Sequence, residues 1–199
     1  MTKWKEFFDK KIKEIAREKI VFDIGGCSKF QKSLAPYKEY FSNCEYKTVD
    51  VNPDCHPDIL ATAQNLPIPD NSADGVICKS VLEHVENPFK AVDEIYRILK
   101  PGGKCFIYVP FLHPYHASGQ KGKDYWRFSE DGIKHLFKEF RKIEICPVKR
   151  HFETIACLLP YQNKFPINIL VYLARLLDII LERYQSKKQV SGYSVFLVK

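Results

Sequence analysis

Seven short apolar runs recur along the chain, each too short for a buried helix and long enough for a strand. They are IVFDI at 20–24, YKTVDV at 46–51, DILA at 58–61, DGVICKSV at 74–81, KCFIYVPFL at 104–112, KIEICPV at 142–148 and SGYSVFLV at 191–198. Helical patterns stand between them. Trp4, Phe8, Ile12 and Ile15 repeat at helical spacing within 2–19, and 28–41 is weakly helical around Pro36. Asn87-Pro88 opens a helix through Lys100, with Phe89, Val92, Ile95, Tyr96 and Leu99 on one face and Pro101-Gly102-Gly103 as its stop. Ser129 is placed to cap a helix over 130–140 that turns Ile133, Leu136, Phe137 and Phe140 inward. Residues 167–184 read as an almost wholly apolar helix. Strands that alternate with helices in this way predict an α/β fold with a mostly parallel sheet covered on both faces.

With 199 residues the chain has room for one such domain. The expected layout is an N-terminal helix over 1–19, a ligand-binding core over 20–148, a helical insert over 149–190 and a last strand over 191–199. A hydrophobic content of 45% with 28% charged residues excludes disordered and collagen-like classes. The start, TKWKEFF, has charges where a signal peptide needs apolar residues, and the apolar pieces near 154–163 and 165–174 are too short to span a bilayer. The seven cysteines include no C-x-x-C pair. An odd count within apolar runs predicts neither a disulfide framework nor a zinc ribbon, and points to a reducing, cytoplasmic location. The formal charge of +7 raises the question of nucleic acid. The lysines are scattered, however: 3, 5, 10, 11, 13 and 19 in one helix and 187–188 far away, which is the pattern of a solvated face.

In sheets of this kind ligands bind beyond the carboxyl ends of the strands. The first such end is Asp23-Ile24-Gly25-Gly26, where a glycine pair lets backbone approach a ligand. The next is Asp50, 25 residues after Gly25, the spacing of an acid that accepts hydrogen bonds from ribose hydroxyls. Together they point to an adenosine-containing ligand. A dinucleotide needs G-x-G-x-x-G, whereas this chain reads G-G-C-S-K-F from Gly25. Without the later glycines a pyrophosphate loses its close backbone approach, so the ligand expected is one without a diphosphate.

Over residues 20–140 the sequence resembles the class I S-adenosylmethionine-dependent methyltransferases of the small type 11 kind. VFDIGGCS, TVDVNP, the block ATAQNLPIPDNSADGVICKSVLEHVENPFKAVDEIYRILKPGGK, and VPFLHPYH with DYWRFSEDGIKHLF carry the resemblance. It implies a three-layer, Rossmann-like, doubly wound sheet of about seven strands, mostly parallel with an antiparallel last strand. It also implies S-adenosylmethionine as cofactor and S-adenosylhomocysteine as product. By the same resemblance Asp23, Gly25 and Gly26 approach the amino-acid part of the cofactor, Asp50 holds the ribose and Val51 packs on the adenine. Thr62 and Ala63 stand where the family often has an Asp-Ala pair at the adenine edge, and Lys79 and Ser80 where the fourth strand meets the methionine part. Cys27 and Lys29 replace glycines common in the family, which implies a variant turn.

Methyl transfer asks the protein mainly to align the acceptor and exclude water, with a base where the acceptor is a hydroxyl. The residues placed for this are His84, His113, His116 and Tyr125, with Arg127 as an anion-binding cation or the partner of Asp124 or Glu130. Two histidines in H-P-Y-H without a locally paired acid predict no metal. The acceptor expected is a small molecule such as a sugar or lipid-linked intermediate. A nucleic-acid methyltransferase is the alternative, disfavoured because Cys78-Lys79-Ser80-Val81 replaces the Asn-Pro-Pro-aromatic motif of base amino-group methylation; a non-catalytic cofactor-binding module is another. Asn168, Arg175, Asp178, Glu182 and Gln185 share one sector of the 167–184 helix. Its apolar remainder is a candidate for sheet-edge packing, a homodimer contact, a substrate lid or a membrane-surface contact; the N-terminal helix, with Trp4, Phe7, Phe8 and its lysines, is a candidate membrane contact or a closure of the cofactor pocket.

Overall fold

The computed structural model describes residues 2–117, 122–159, 165–184 and 188–199, with the side chains of Lys32 and of 165–168 left aside. One seven-stranded sheet organises them: β1 Ile20–Ile24, β2 Glu45–Asp50, β3 Ile59–Leu60, β4 Ala73–Lys79, β5 Leu99–Pro110, β6 Lys142–Val148 and β7 Gly192–Val198. Their order across the sheet is β3-β2-β1-β4-β5-β7-β6. The first five are parallel, while β7 runs antiparallel between β5 and β6. The order reverses between β1 and β4, which opens a crevice at their carboxyl ends.

Successive strand residues face opposite layers, so a sheet covered on both faces must be apolar on both. Val21, Ile77, Phe106 and Phe196 point into one layer, under α1 Lys3–Ile15 and the 3-10 segment Lys32–Phe41, where they meet Ile12, Ile15, Leu34 and Phe41. Phe22, Ile24, Val76, Cys78, Cys105 and Ile107 point into the other. There α2 Pro88–Ile98 supplies Val92, Ile95 and Ile98, and α3 Glu130–Leu136 supplies Ile133 and Leu136, with Phe137 and Phe140 following it. Ser129 caps α3 by accepting from the Gly132 amide at 3.1 Å. Phe7 and Phe8 of α1 pack on Phe106, so its aromatic face is turned to the sheet. Several of its lysines and their neighbours are paired: Lys11 with Glu144, Lys13 with Asp9 and Lys104 with Glu18.

Three local expectations are corrected. Pro101-Gly102-Gly103 does not cap α2. The helix ends at Ile98, Leu99 pairs with Ala73, and the proline and glycines form an irregularity in β5. A residue preceding proline avoids helical backbone, which turns Lys100 extended before any glycine cap can form. The long N-terminal helix stops at Ile15, because Lys19 already accepts from the Glu45 amide at the start of the β1–β2 pair. The insert after β6 holds two helices, α4 His151–Leu158 and α5 Phe165–Ile180.

The amphipathicity of α5 is inverted. Asp178 is buried and accepts from the amides of Phe152 and Glu153 at 2.9 Å each, capping α4, while Arg175 pairs with Glu153 at 2.7 Å. Asp178 therefore faces inward on α4 with Arg175 reaching across from the exposed edge, Glu182 is exposed, and so are the apolar Ile169, Tyr172, Leu173, Ile179 and Ile180. Exposed apolar faces of this kind mark interaction surfaces. Asn168 and Gln185, expected in the same sector, lie outside the described side chains. No helix among the described residues is long and apolar enough to cross a membrane.

Candidate functional site

A cleft of about 310 Å³ opens where the sheet order reverses. Its walls are the turn after β1, the ends of β2 and β3, and the segment after β4. Gly25, Asp50, Val51, Thr62 and Ala63 line it, and His84, Glu86 and Tyr125 form the opposite wall. A volume of this size lies at the lower end of the ~300–1,000 Å³ typical of small-molecule sites.

The turn after β1 shows why glycine is needed twice. Gly25 has φ +74°, and a Cβ there would stand 2.2 Å from Val81 Cγ2. A Cβ on Gly26 would stand 2.6 Å from Asp23 Oδ2. The next residue, Cys27, also adopts a left-handed φ of +43°, a backbone that glycine takes without strain. Two contacts hold it there. Its amide donates to Asp50 Oδ2 at 3.0 Å, and its sulfur is bonded to that of Cys55, 28 residues away. The odd cysteine count and the lack of a C-x-x-C pair predict no disulfide framework, and they did not anticipate this one bond. Spacing rules look for cysteines close in sequence, whereas this pair is made by two loops that leave adjacent parallel strands. Cys44, Cys78, Cys105, Cys146 and Cys157 form no disulfide among the described residues.

Asp50 ties the two loops together. Its Oδ2 accepts from Cys27 and its Oδ1 from the Asn52 amide at 2.9 Å. Each carboxylate oxygen keeps a further lone pair, and the group lines the cleft. Val51 is largely exposed in the same wall, a free apolar face for an aromatic base. The Thr62 hydroxyl accepts from the Gln64 amide at 3.3 Å.

The other cofactor candidates stand behind this wall. Asp23 is buried beneath the turn, with the Tyr46 hydroxyl donating to it at 2.5 Å. Burial raises its pKa to about 6, against the lowering effect of that hydrogen bond and of Lys79. Lys79 reaches the Ser33 hydroxyl and the ring of Phe8, and Ser80 turns the chain with φ +55°. Because the folded pKa of Asp23 lies above the unfolded 3.8, the fold prefers its neutral form. That preference is fully present below pH ~4 and is lost as pH rises through ~6. Asp23→Asn should therefore raise stability at pH 8 by up to about 3 kcal/mol and change it little at pH 4. Thermal melts at the two pH values check this; equal shifts at both would sink it.

On the opposite wall, the segment 122–128 docks onto the residues after β4. The amides of Tyr125 and Trp126 donate to the Glu83 carbonyl at 2.7 and 3.3 Å, and the Trp126 indole donates to the Val85 carbonyl at 2.8 Å. Trp126 is thereby exposed at the rim and not part of the core. The Tyr125 hydroxyl donates to Glu86 at 3.1 Å. His113 and His116 lie beyond His84 from the cleft, in edge-to-face contact with each other, and His116 in turn meets the edge of His84. Burial lowers the pKa of His113.

Arg127 is not available to a substrate anion. Its Nη atoms grip both oxygens of Asp124 at 2.5 and 2.6 Å, and its remaining N–H groups donate to the carbonyls of His113, Pro114 and Trp126. All five donors are used, so Arg127 positions the histidine loop. The same grip holds the Asp124 carboxyl well below its usual range. Glu83 was missed by the sequence reading. It is fully buried, neither carboxylate oxygen has a hydrogen-bond partner in another described residue, and burial raises its pKa to about 7. The available signal was an acid directly before a histidine inside the run Val81-Leu82-Glu83-His84.

A second depression, of about 340 Å³, lies at the other end of the sheet beside Asp70, Tyr96, Arg97 and Lys199. Its cations are engaged with Asp70, Glu94 and backbone carbonyls.

Comparison with known proteins gives the following. Residues 25–107 match the family model described as a methyltransferase domain. The ubiquinone/menaquinone biosynthesis C-methyltransferase UbiE of Pseudoalteromonas translucida is 39% identical over 71 residues, covering 36% of this chain and 28% of the relative. The chain thus spans under a third of that relative's length. Among solved structures, a SAM-dependent methyltransferase from Archaeoglobus fulgidus is similar with a TM-score of 0.63 at 19% identity, over 98% of this chain and 93% of that one. The phosphoethanolamine N-methyltransferase 2 of Haemonchus contortus, in complex with S-adenosyl-L-methionine, is similar with a TM-score of 0.57 at 16% identity, over 98% and 52%. At these identities the structural likenesses are likenesses of fold.

Proposed function

We propose, for a chain that belongs to the class I S-adenosylmethionine-dependent methyltransferase domains, that it methylates a small molecule held between the segments after β4 and β5. The observation that carries this is the cleft itself. One wall presents Gly25, Asp50, Val51 and Ala63, and the facing wall presents His84 and Tyr125.

The residues present fit the cofactor. Gly25 permits close approach of a ligand to the backbone, Asp50 has lone pairs left for two ribose hydroxyls, and Val51 and Ala63 offer apolar surface to a base. When bound, S-adenosylmethionine supplies an activated methyl group on a positively charged sulfur. The work left to the chain is to orient the acceptor and keep water out. The wall of His84, Glu86 and Tyr125 presents polar atoms that bind hydroxyls, and a hydroxyl acceptor would release its proton on the side where Glu83, His84 and His116 gather. That chemistry supports a sugar or lipid-linked acceptor. The resemblance to the quinone C-methyltransferase lies in about a third of the chain, so it informs the cofactor half and not the acceptor.

Calorimetric titration with S-adenosylmethionine, followed by methyl-transfer assays on hydroxyl-bearing acceptors, tests the reading. Saturable binding at one site is expected. No binding at near-millimolar cofactor would end it.

A further inference from the structure

We propose that Glu83, His84 and His116 form a binding site for a divalent metal ion of the zinc class. Their ligand atoms all lie within 4.8 Å of one another. Glu83 Oε1 is 3.6 Å from His116 Nε2 and 3.9 Å from His84 Nε2. A zinc ion with bonds of ~2.0–2.1 Å in tetrahedral geometry sets its ligands about 3.4 Å apart, so Glu83 need close on each histidine by no more than about half an ångström.

The protons of the two imidazoles are placed by their other nitrogens. His84 Nδ1 is 2.6 Å from the Lys123 carbonyl oxygen, which can only accept. His116 Nδ1 lies between the Pro114 carbonyl at 3.2 Å and Asp124 Oδ2 at 3.3 Å, both acceptors. Each Nδ1 therefore carries the hydrogen in the neutral ring, and each Nε2 carries a lone pair. Two lone pairs and a carboxylate oxygen thus converge on one space. Such a group is relieved by something positive among the three, either a proton or a metal ion.

Glu83 supplies a second, independent observation. It is fully buried, and neither oxygen has a hydrogen-bond partner among the other described residues. A buried carboxylate without a partner is costly, and proteins relieve it with a proton, a paired charge or a coordinated metal. The supports are those of a built site. Metal-binding histidines hand their second N–H to a carbonyl or carboxylate, as both do here, and Asp124 is itself held by Arg127 through two bonds. His84 lines the cleft, which puts one of the three ligands within reach of solvent, while Glu83 is buried.

An ion there would stand at the edge of the acceptor wall, where it would polarise an acceptor oxygen. That consequence rests on the methyl-transfer reading; ligation of the ion does not.

The test uses the full chain, stripped with a chelator and titrated with Co²⁺ alone, in the absence of S-adenosylmethionine. One equivalent is expected to produce a visible ligand-field spectrum, displaced by Zn²⁺. Glu83→Gln and His116→Ala, each checked for folding by circular dichroism, should weaken Co²⁺ binding by more than the ~10–100-fold typical of supporting residues. Three outcomes overturn the proposal: no saturable spectrum, a spectrum that survives both substitutions, or a thiolate-to-cobalt charge-transfer band placing the ion on cysteine. Because the readout needs neither cofactor nor turnover, its failure is distinct from a failure to bind S-adenosylmethionine.

Discussion

Asp50→Ala should weaken S-adenosylmethionine binding by about 5- to 150-fold, the 1–3 kcal/mol associated with charge-assisted hydrogen bonds to a buried ligand. The carboxylate stands in the cleft wall with lone pairs left on both oxygens. The substitution also releases the amides of Cys27 and Asn52, so part of the loss would come from loosened loops. Asp50→Asn separates the two contributions. Its carbonyl oxygen can keep one of the two amides while the negative charge is gone, so it should fall between wild type and alanine. Calorimetry on the three proteins measures this. Unchanged affinity in Asp50→Ala would remove the ribose assignment, and with it the orientation of the ligand in the cleft.

Reduction of the Cys27–Cys55 bond should lower the melting temperature by about 7–15 °C. Closing a loop over a sequence separation of 28 constrains the unfolded chain by about 3–4 kcal/mol in the chain-entropy account. For a domain of this size each kcal/mol corresponds to ~2–4 °C. The bond also holds Cys27 at φ +43°, a backbone that costs a non-glycine residue roughly 1–2 kcal/mol. Cys27→Gly should therefore melt below the oxidised protein and above Cys27→Ser, because only glycine relieves the backbone. Both variants should be insensitive to reductant. Thiol counting on the unfolded, unreduced chain should find the five free cysteines. Seven free thiols, or a melting temperature that reductant leaves unchanged, would show that the bond does not form.

Much of the fold was legible because its signal is local. Apolar runs at 20–24, 46–51, 58–61, 142–148 and 191–198 became strands within a residue or two of their expected ends. Ser129, Phe137 and Phe140 did what a cap and an inward face require. The helix stop at Pro101 was misread because strand pairing of Leu99 competes with a helix cap, and pairing depends on β4, distant in sequence. For α5 the wheel separated polar from apolar residues correctly. Which side faces the protein was decided by the exposed amides at the start of α4, which Asp178 caps.

The candidate site divides in the same way. Gly25, Asp50, Val51, Thr62 and Ala63 line the cleft because glycine turns and strand-end acids are set by short segments. Of the acceptor candidates, His84 and Tyr125 reach it, while His113 and His116 stand behind and Arg127 is taken up by Asp124 and three carbonyls. By itself the sequence determined the strand–helix alternation, the glycine turn and the strand-end acid Asp50, each a property of neighbouring residues. Only the tertiary structure decided that Cys27 meets Cys55, that Arg127 serves its own loop, and that Glu83 and His116 face one another. Those pairings join segments separated by 28 to 33 positions, or compete for the same hydrogen bonds, and no local pattern encodes which partner wins.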